Sequence, residues 1–539
     1  MRVLLRVEVR LYSMRLPPGV LGLFLASTCL GQISQVTTSQ YDSARTGANL
    51  HETQLTPSIV NASHFGKLFS LKVDGDVYAE PLYFAGVDIP GKGKHNVLFV
   101  ATEHDSVYAF DADTPGDPLW KVSFLSDGVK TLSTSDVDCP FITPEIGITS
   151  TPVVDPNTGT LYVLARTKES RSFFSSYSFV QKLHALAITT GVEKFGGPAV
   201  IDAKSQGRGD GARNGTVAFE QLRENPRAAL LLANNTVYAS WGSSCDVGPY
   251  HGWVLAYDAA TLKIKAGLNV SPNADDSGIW AGDVGPAADQ NGNVYVATGN
   301  GRFDASTGGV DYGDTVLKLQ FDKGGLKVAD YFTPSNEQDL NESDSDLGSG
   351  GPVLLPNDAD PHRHLLVIAG KGATLYVIDR DQMGKFDPAN NRHALQTIPL
   401  HDSAFGAVAY WNHHIYQLVS KDWLRDYELK NGRLTLHATG GGHSFIDPGA
   451  TPTVSANGNR DGIVWVVESK GWRSPDRPFV LHAYDAANID HELYTSEQNA
   501  ARDRGGLTLR FNIPLVVNGR VYVGAKREVD VYGLLPEAK

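Results

Sequence analysis

One pattern recurs along this chain and limits its fold more than any other feature. A short apolar strand with Pro or Gly at its start leads through a turn to a second strand centred on a pair of apolar or aromatic residues. The pairs are Leu98-Phe99, Leu161-Tyr162, Val237-Tyr238, Val294-Tyr295, Leu366-Val367, Ile415-Tyr416, Val464-Trp465 and Val521-Tyr522. A third strand follows in the form Leu/Val-x-Ala-Tyr/Phe-Asp, as at Val107 to Asp111, Val254 to Asp258 and Leu481 to Asp485, and a last short strand ends the unit. Successive pairs stand about 60 residues apart on average, room for a four-stranded blade with long loops. Asn-Gly dipeptides at Asn291-Gly292, Asn457-Gly458 and Asn518-Gly519 suit tight hairpins, because both residues tolerate positive φ. The last unit stops at Leu534 without a fourth strand, while Lys67 to Leu71 precedes the first unit without a blade of its own. Pairing these two removes an open sheet edge. The pattern predicts an all-β fold: a single closed eight-bladed β-propeller of four-stranded blades.

Before the repeats the sequence changes character. Arg2, Arg6, Arg10 and Arg15 precede an apolar stretch from Gly19 to Leu30, with Gly31-Gln32 after it. Residues 1–31 therefore read as a signal peptide, 32–65 as an N-terminal extension and 66–539 as the propeller, whose N-terminal strand closes the last blade. The apolar stretch is short for a membrane span and no later run reaches that length, so the expectation is a secreted or periplasmic protein with no transmembrane segment after cleavage. In an oxidising compartment the two remaining cysteines, Cys139 and Cys245, are expected to form a disulfide, with two buried thiols as the alternative. A net charge of −13 argues against a nucleic-acid partner, whose phosphates demand a basic surface.

The opening Tyr41-Asp42-Ser43-Ala44-Arg45-Thr46-Gly47-Ala48-Asn49 and the recurrent element seen at Val254 to Thr261 resemble the pyrroloquinoline-quinone dehydrogenase superfamily, the eight-bladed quinoproteins, over nearly the whole mature chain. The resemblance implies pyrroloquinoline quinone and Ca2+ as cofactors. The flat, anionic quinone is stacked between apolar faces, and the cation polarises its carbonyl. A carboxylate takes the substrate's hydroxyl proton as hydride passes to the quinone. Gly278-Ile279-Trp280 resembles the segment that supplies the tryptophan floor. Thr298-Gly299-Asn300 resembles the element whose Asn ligates calcium, and Gly242 to Asp246 the loop with the carboxylate ligand, here Asp246. Lys371, between Gly370 and Gly372, falls where the family sets a cation against the quinone oxygens. Asp339 is the nearest match to the catalytic aspartate, with Asp344 and Asp346 as rivals in the same acidic loop. The family's adjacent-cysteine ring and its Cys-x-x-Cys-His haem site are absent from this sequence.

Two further residues are candidates on their own pattern. Glu145, in Thr143-Pro144-Glu145-Ile146-Gly147, enters an inner strand and is expected to face the pocket with His251, from Pro249-Tyr250-His251-Gly252-Trp253. A buried Glu needs a cation, donors or a salt bridge, with Arg166 or Lys371 as the partner. Two functions are consistent with these residues. One is a calcium- and quinone-dependent oxidoreductase acting on a small-molecule alcohol or sugar. The other is a non-catalytic scaffold that binds an envelope protein or polysaccharide.

Overall fold

The computed structural model describes residues 35–170, 176–322, 324–470, 474 and 476–536, so the expected leader lies outside the described residues. Beside one two-stranded sheet of Lys204–Gln206 and Thr216–Ala218, the described residues form eight antiparallel blade sheets in sequence order, a ring of eight blades. Their first strands are Leu82–Ile89, Val153–Asp155, Leu231–Ala233, Ala287–Ala288, Val353–Leu354, Ala409–Trp411, Thr453–Asn457 and Leu515–Val517. Among the described residues no helix is long and apolar enough to cross a membrane.

The repeat forms blades because each of its residues has a local task. Two-residue turns join first to second strands at Asn234-Asn235, Asn412-His413 and Asn518-Gly519, all with positive φ, which matches the twist of the strands they connect. The Asp that ends the third strand caps the next turn. Asp258 accepts from the Ala260 amide and Thr261 hydroxyl, and Asp111 from the amides of Asp113 and Thr114. The aromatic of the central pair reaches across to the next blade. Tyr162, Tyr416 and Tyr522 donate through their hydroxyls to the carbonyls of Ala259, Ala486 and Ala112, each the residue after that Asp. The last of these joins the eighth blade to the first. Apolar residues of neighbouring sheets fill the space between, as where Leu231, Tyr238 and Val254 meet Val294 and Leu317.

Ring closure follows the expected pairing. Phe65–Lys72 runs antiparallel to Glu528–Leu534, with Lys67 opposite Tyr532 and Leu71 opposite Val529. Lys67 Nζ lies 2.8 Å from the buried Asp530 carboxylate, and Phe65 packs edge-on to Tyr494.

The segment from Val36 to Asn49 bonds to all eight blades. The carbonyls of Val36, Thr37, Ser43, Ala44, Thr46 and Gly47 accept from the first-strand amides of Tyr83, Val154, Ala288, Leu354, Tyr410 and Val454. Arg45, fully buried, donates to Thr38, Ser39, Pro286 and Leu230, the last reaching blade 3. The Tyr41 hydroxyl accepts from the Val516 amide of blade 8. First strands expose an inner edge that would otherwise leave these amides unpaired. Gly47 sits at φ +72, and a Cβ there would lie 2.6 Å from the Gln40 side-chain oxygen.

Candidate functional site

The connections between blades and the loops between second and third strands gather on one face, around a cavity of about 410 Å3. Segments from several blades meet there. Gly278-Ile279-Trp280 is laced in place by Ile279 N to Trp241 O at 2.9 Å and by Gly299 N to Gly278 O at 2.9 Å. Trp280 lines the cavity, set edge-on to Tyr250 with ring centroids 6.3 Å apart.

Asp346 ties the site together. Its Oδ1 accepts from Trp280 Nε1 at 3.1 Å and from the Asn300 amide at 2.9 Å, and its Oδ2 pairs with Lys371 Nζ at 2.5 Å. Gly299 makes the approach possible, since a Cβ there would fall 2.0 Å from Asp346 Oδ1. Lys371 also holds Asp344 at 2.7 Å, and Asp344 in turn accepts from Asn300 Nδ2 at 2.9 Å. Asp246 accepts from the Tyr250 hydroxyl at 2.8 Å.

The electrostatics follow from this crowding of acids. Burial opposes the charge on Lys371, but Asp346 and Asp344 outweigh it and hold the ammonium above its ordinary pKa. Burial raises Asp246, only partly opposed by Tyr250, and lifts nearby Asp276 to about 7. Asn300 Oδ1 is buried without a hydrogen-bond partner among the described residues, an oxygen left over from the network. On the remaining wall Arg227 and Arg510 lie over the Phe511 ring at 4.6 and 5.1 Å, and the Cys139–Cys245 disulfide, with Cα atoms 5.6 Å apart, borders the same space.

The expected residues are distributed unequally. Trp280, Asp246, Asp346, Lys371 and both cysteines line the cavity, and Asn300 is bonded to its acidic rim. Asp339 does not reach it: Glu337–Glu342 forms a short helix that leaves the Asp339 side chain exposed. Asp344, in the turn directly after that helix, lines the cavity instead. Glu145 lines a separate cavity with His104, Lys130 and Lys168, and its partners are His104 Nδ1 at 2.8 Å and Thr131 Oγ1 at 3.2 Å, not Arg166 or Lys371. His251 is buried away from both, its ring spent on Ser271 and on the Asp210 carbonyl at 3.0 Å. The aromatic and cationic wall of Phe405, Phe511, Arg227 and Arg510 carries no recurring motif that would have flagged it.

The oxygen-rich rim suits a hard cation, and the cations and aromatic walls suit a flat anionic ligand. The residues present therefore fit calcium and a quinone. No family profile and no curated protein sequence matches the chain. Among solved structures it is similar to "Europium-containing methanol dehydrogenase" at 12% identity and TM-score 0.58, covering 93% of this chain and 98% of that one. It is also similar to BamB from Moraxella catarrhalis at 12% identity and TM-score 0.46, covering 88% and 99%. At such identities likeness speaks for architecture alone: the chain has the eight-bladed fold of the pyrroloquinoline-quinone dehydrogenase-like propellers.

Proposed function

We propose that the chain is an exported, quinone-dependent oxidoreductase that acts on a hydroxyl-bearing small molecule, an alcohol or a sugar. The observation that carries this reading is the convergence of Trp280, Asp246, Asp346 and Lys371, from separate blades, on one cavity. Asp246 and the free oxygen of Asn300 would hold the cation, a calcium ion or a lanthanide such as the one named in the methanol dehydrogenase. Lys371, Arg227 and Arg510 would face the quinone's negative oxygens, with Trp280 and the disulfide as its walls. When bound, these groups supply a polarised carbonyl that accepts hydride from the carbinol carbon.

The protein's own part is positioning and proton transfer. Asp346 has both oxygens engaged, so it orients Trp280, Asn300 and Lys371 rather than taking a proton. Asp344, its side chain 69% exposed, has Oδ1 held by Lys371 and Asn300, and its Oδ2 would be the oxygen that accepts the substrate's hydroxyl proton. The reduced cofactor would then need a separate electron acceptor.

Reconstitution tests the reading. Quinone with Ca2+ or Eu3+, at a hundredfold excess over Kd, should stabilise the fold by about 2.7 kcal/mol in thermal unfolding. Trp280→Ala and Lys371→Met should abolish that gain. Asp344→Asn should keep it and lower kcat for dye reduction by about 100-fold or more. No stabilisation by quinone with either cation would turn the reading to the scaffold, which binds an envelope protein or polysaccharide.

A further inference from the structure

On the same face, outside the cavity, three side chains of and beside blade 7 come together. His443 lies in the connection from blade 6, Glu468 at the end of the strand Arg460–Glu468, and His482 in the strand Val480–Asp485. One donor atom from each falls within 4.8 Å of the others. His443 Nε2 stands 3.3 Å from Glu468 Oε2, and His482 Nε2 stands 3.5 Å from the same oxygen. A tetrahedral zinc ion, with bonds of about 2.0–2.1 Å, sets its ligand atoms about 3.3–3.4 Å apart. Both nitrogens stand at close to that spacing from the carboxylate oxygen, and the three donor atoms all lie within 4.8 Å of one another.

Two independent observations point to a ligand. His482 and Glu468 are each 2% exposed, yet among the described residues His482 Nε2 makes no hydrogen bond at its 3.5 Å separation from Glu468, and Glu468 Oε1 finds no partner. Buried groups of this kind are rarely left unsatisfied. The other ring nitrogen of His482, Nδ1, bonds Glu492 Oε1 at 2.7 Å. That is the carboxylate–histidine arrangement which fixes a ligating ring and turns its Nε2 toward a metal.

We propose that His443, Glu468 and His482 bind a divalent cation of the zinc class, at a site distinct from the cavity. Two imidazoles and one carboxylate select such an ion over calcium or magnesium, which take oxygen ligands. Three protein donors leave a fourth position, on the side of the partly exposed His443. Lys470 Nζ, 2.9 Å from Glu468 Oε2 and itself partly exposed, is the charge that the ion displaces.

Calorimetric titration of the full-length, chelator-treated protein with Zn2+ tests this. The wild type should bind one equivalent. His443→Ala, at a position where truncation spares the core, should lose that equivalent while its metal-free unfolding midpoint stays at the wild-type value. Glu492→Gln should weaken binding by about 10-fold or more. Lys470→Met should bind at least as tightly as wild type. Absence of a stoichiometric equivalent in the wild type overturns the proposal, and so does His443→Ala binding zinc as the wild type does; the trio would then be an ion-pair network alone.

Discussion

At Glu103 a carboxyl is enclosed with too little to hold its charge. One oxygen accepts from the Gly147 amide at 2.7 Å and the Thr149 hydroxyl at 3.2 Å, and the other has no partner among the described residues. Burial pushes its pKa from 4.5 to about 8, with Asp76 adding to the rise and Arg166 opposing it. The folded protein thus keeps a proton that the unfolded chain releases between pH 4.5 and 8. The stability tied to that proton is full below about 4.5 and is lost as the pH rises through about 8. Glu103→Gln keeps an acceptor for both donors without the charge. Urea unfolding should show the variant close to wild type at pH 5 and more stable at pH 8 by on the order of 4 kcal/mol. A variant that tracks wild type at both values would show that Glu103 is not the group responsible.

The closing strand is the element on which the ring depends, and its buried anchor is the ion pair of Lys67 with Asp530. Asp530 is fully buried and is met by Lys67 at 2.8 Å, Ser70 Oγ at 2.6 Å and the Gly506 amide at 2.6 Å. Lys67→Met leaves that carboxylate without its cation and should cost about 3 kcal/mol. Amide exchange should speed up first in Phe65–Lys72 and Glu528–Leu534, ahead of the other blades. The strand and its partner could be read from sequence because the last unit lacks a fourth strand while Lys67 to Leu71 stands alone before the first, and the four strands of every other blade come in one contiguous stretch. Its turn dipeptides, its capping Asp and its cross-blade tyrosine recur in order. The site is different in kind. Arg227 and Arg510 stand 283 positions apart in number and share a wall only once the ring has closed, so no local pattern joins them. Asp339 and Asp344 differ by five positions, and which of them reaches the cavity depends on one short helix between Thr333 and Ser345. His251 matched its neighbourhood in sequence, but its ring is consumed by backbone and hydroxyl groups that only the fold brings near.

Among the described residues one covalent link joins distant loops of the ring. Cys139 and Cys245 enclose a sequence separation of 106 residues, which spans the whole second blade and half of the third. Opening a loop of that size should lower stability by about 4 kcal/mol, so Cys139→Ser with Cys245→Ser should unfold at correspondingly lower urea than the oxidised wild type. Thiol-reducing agent should reproduce that shift in the wild type and leave the double variant unchanged. The segment from Val36 to Asn49 bears on the molecule at this scale too. By bonding to every blade it turns what would be an open tube into a cup with a sealed floor. Nothing can pass through such a vessel. Whatever reaches the bottom must come back over the same rim by which it entered.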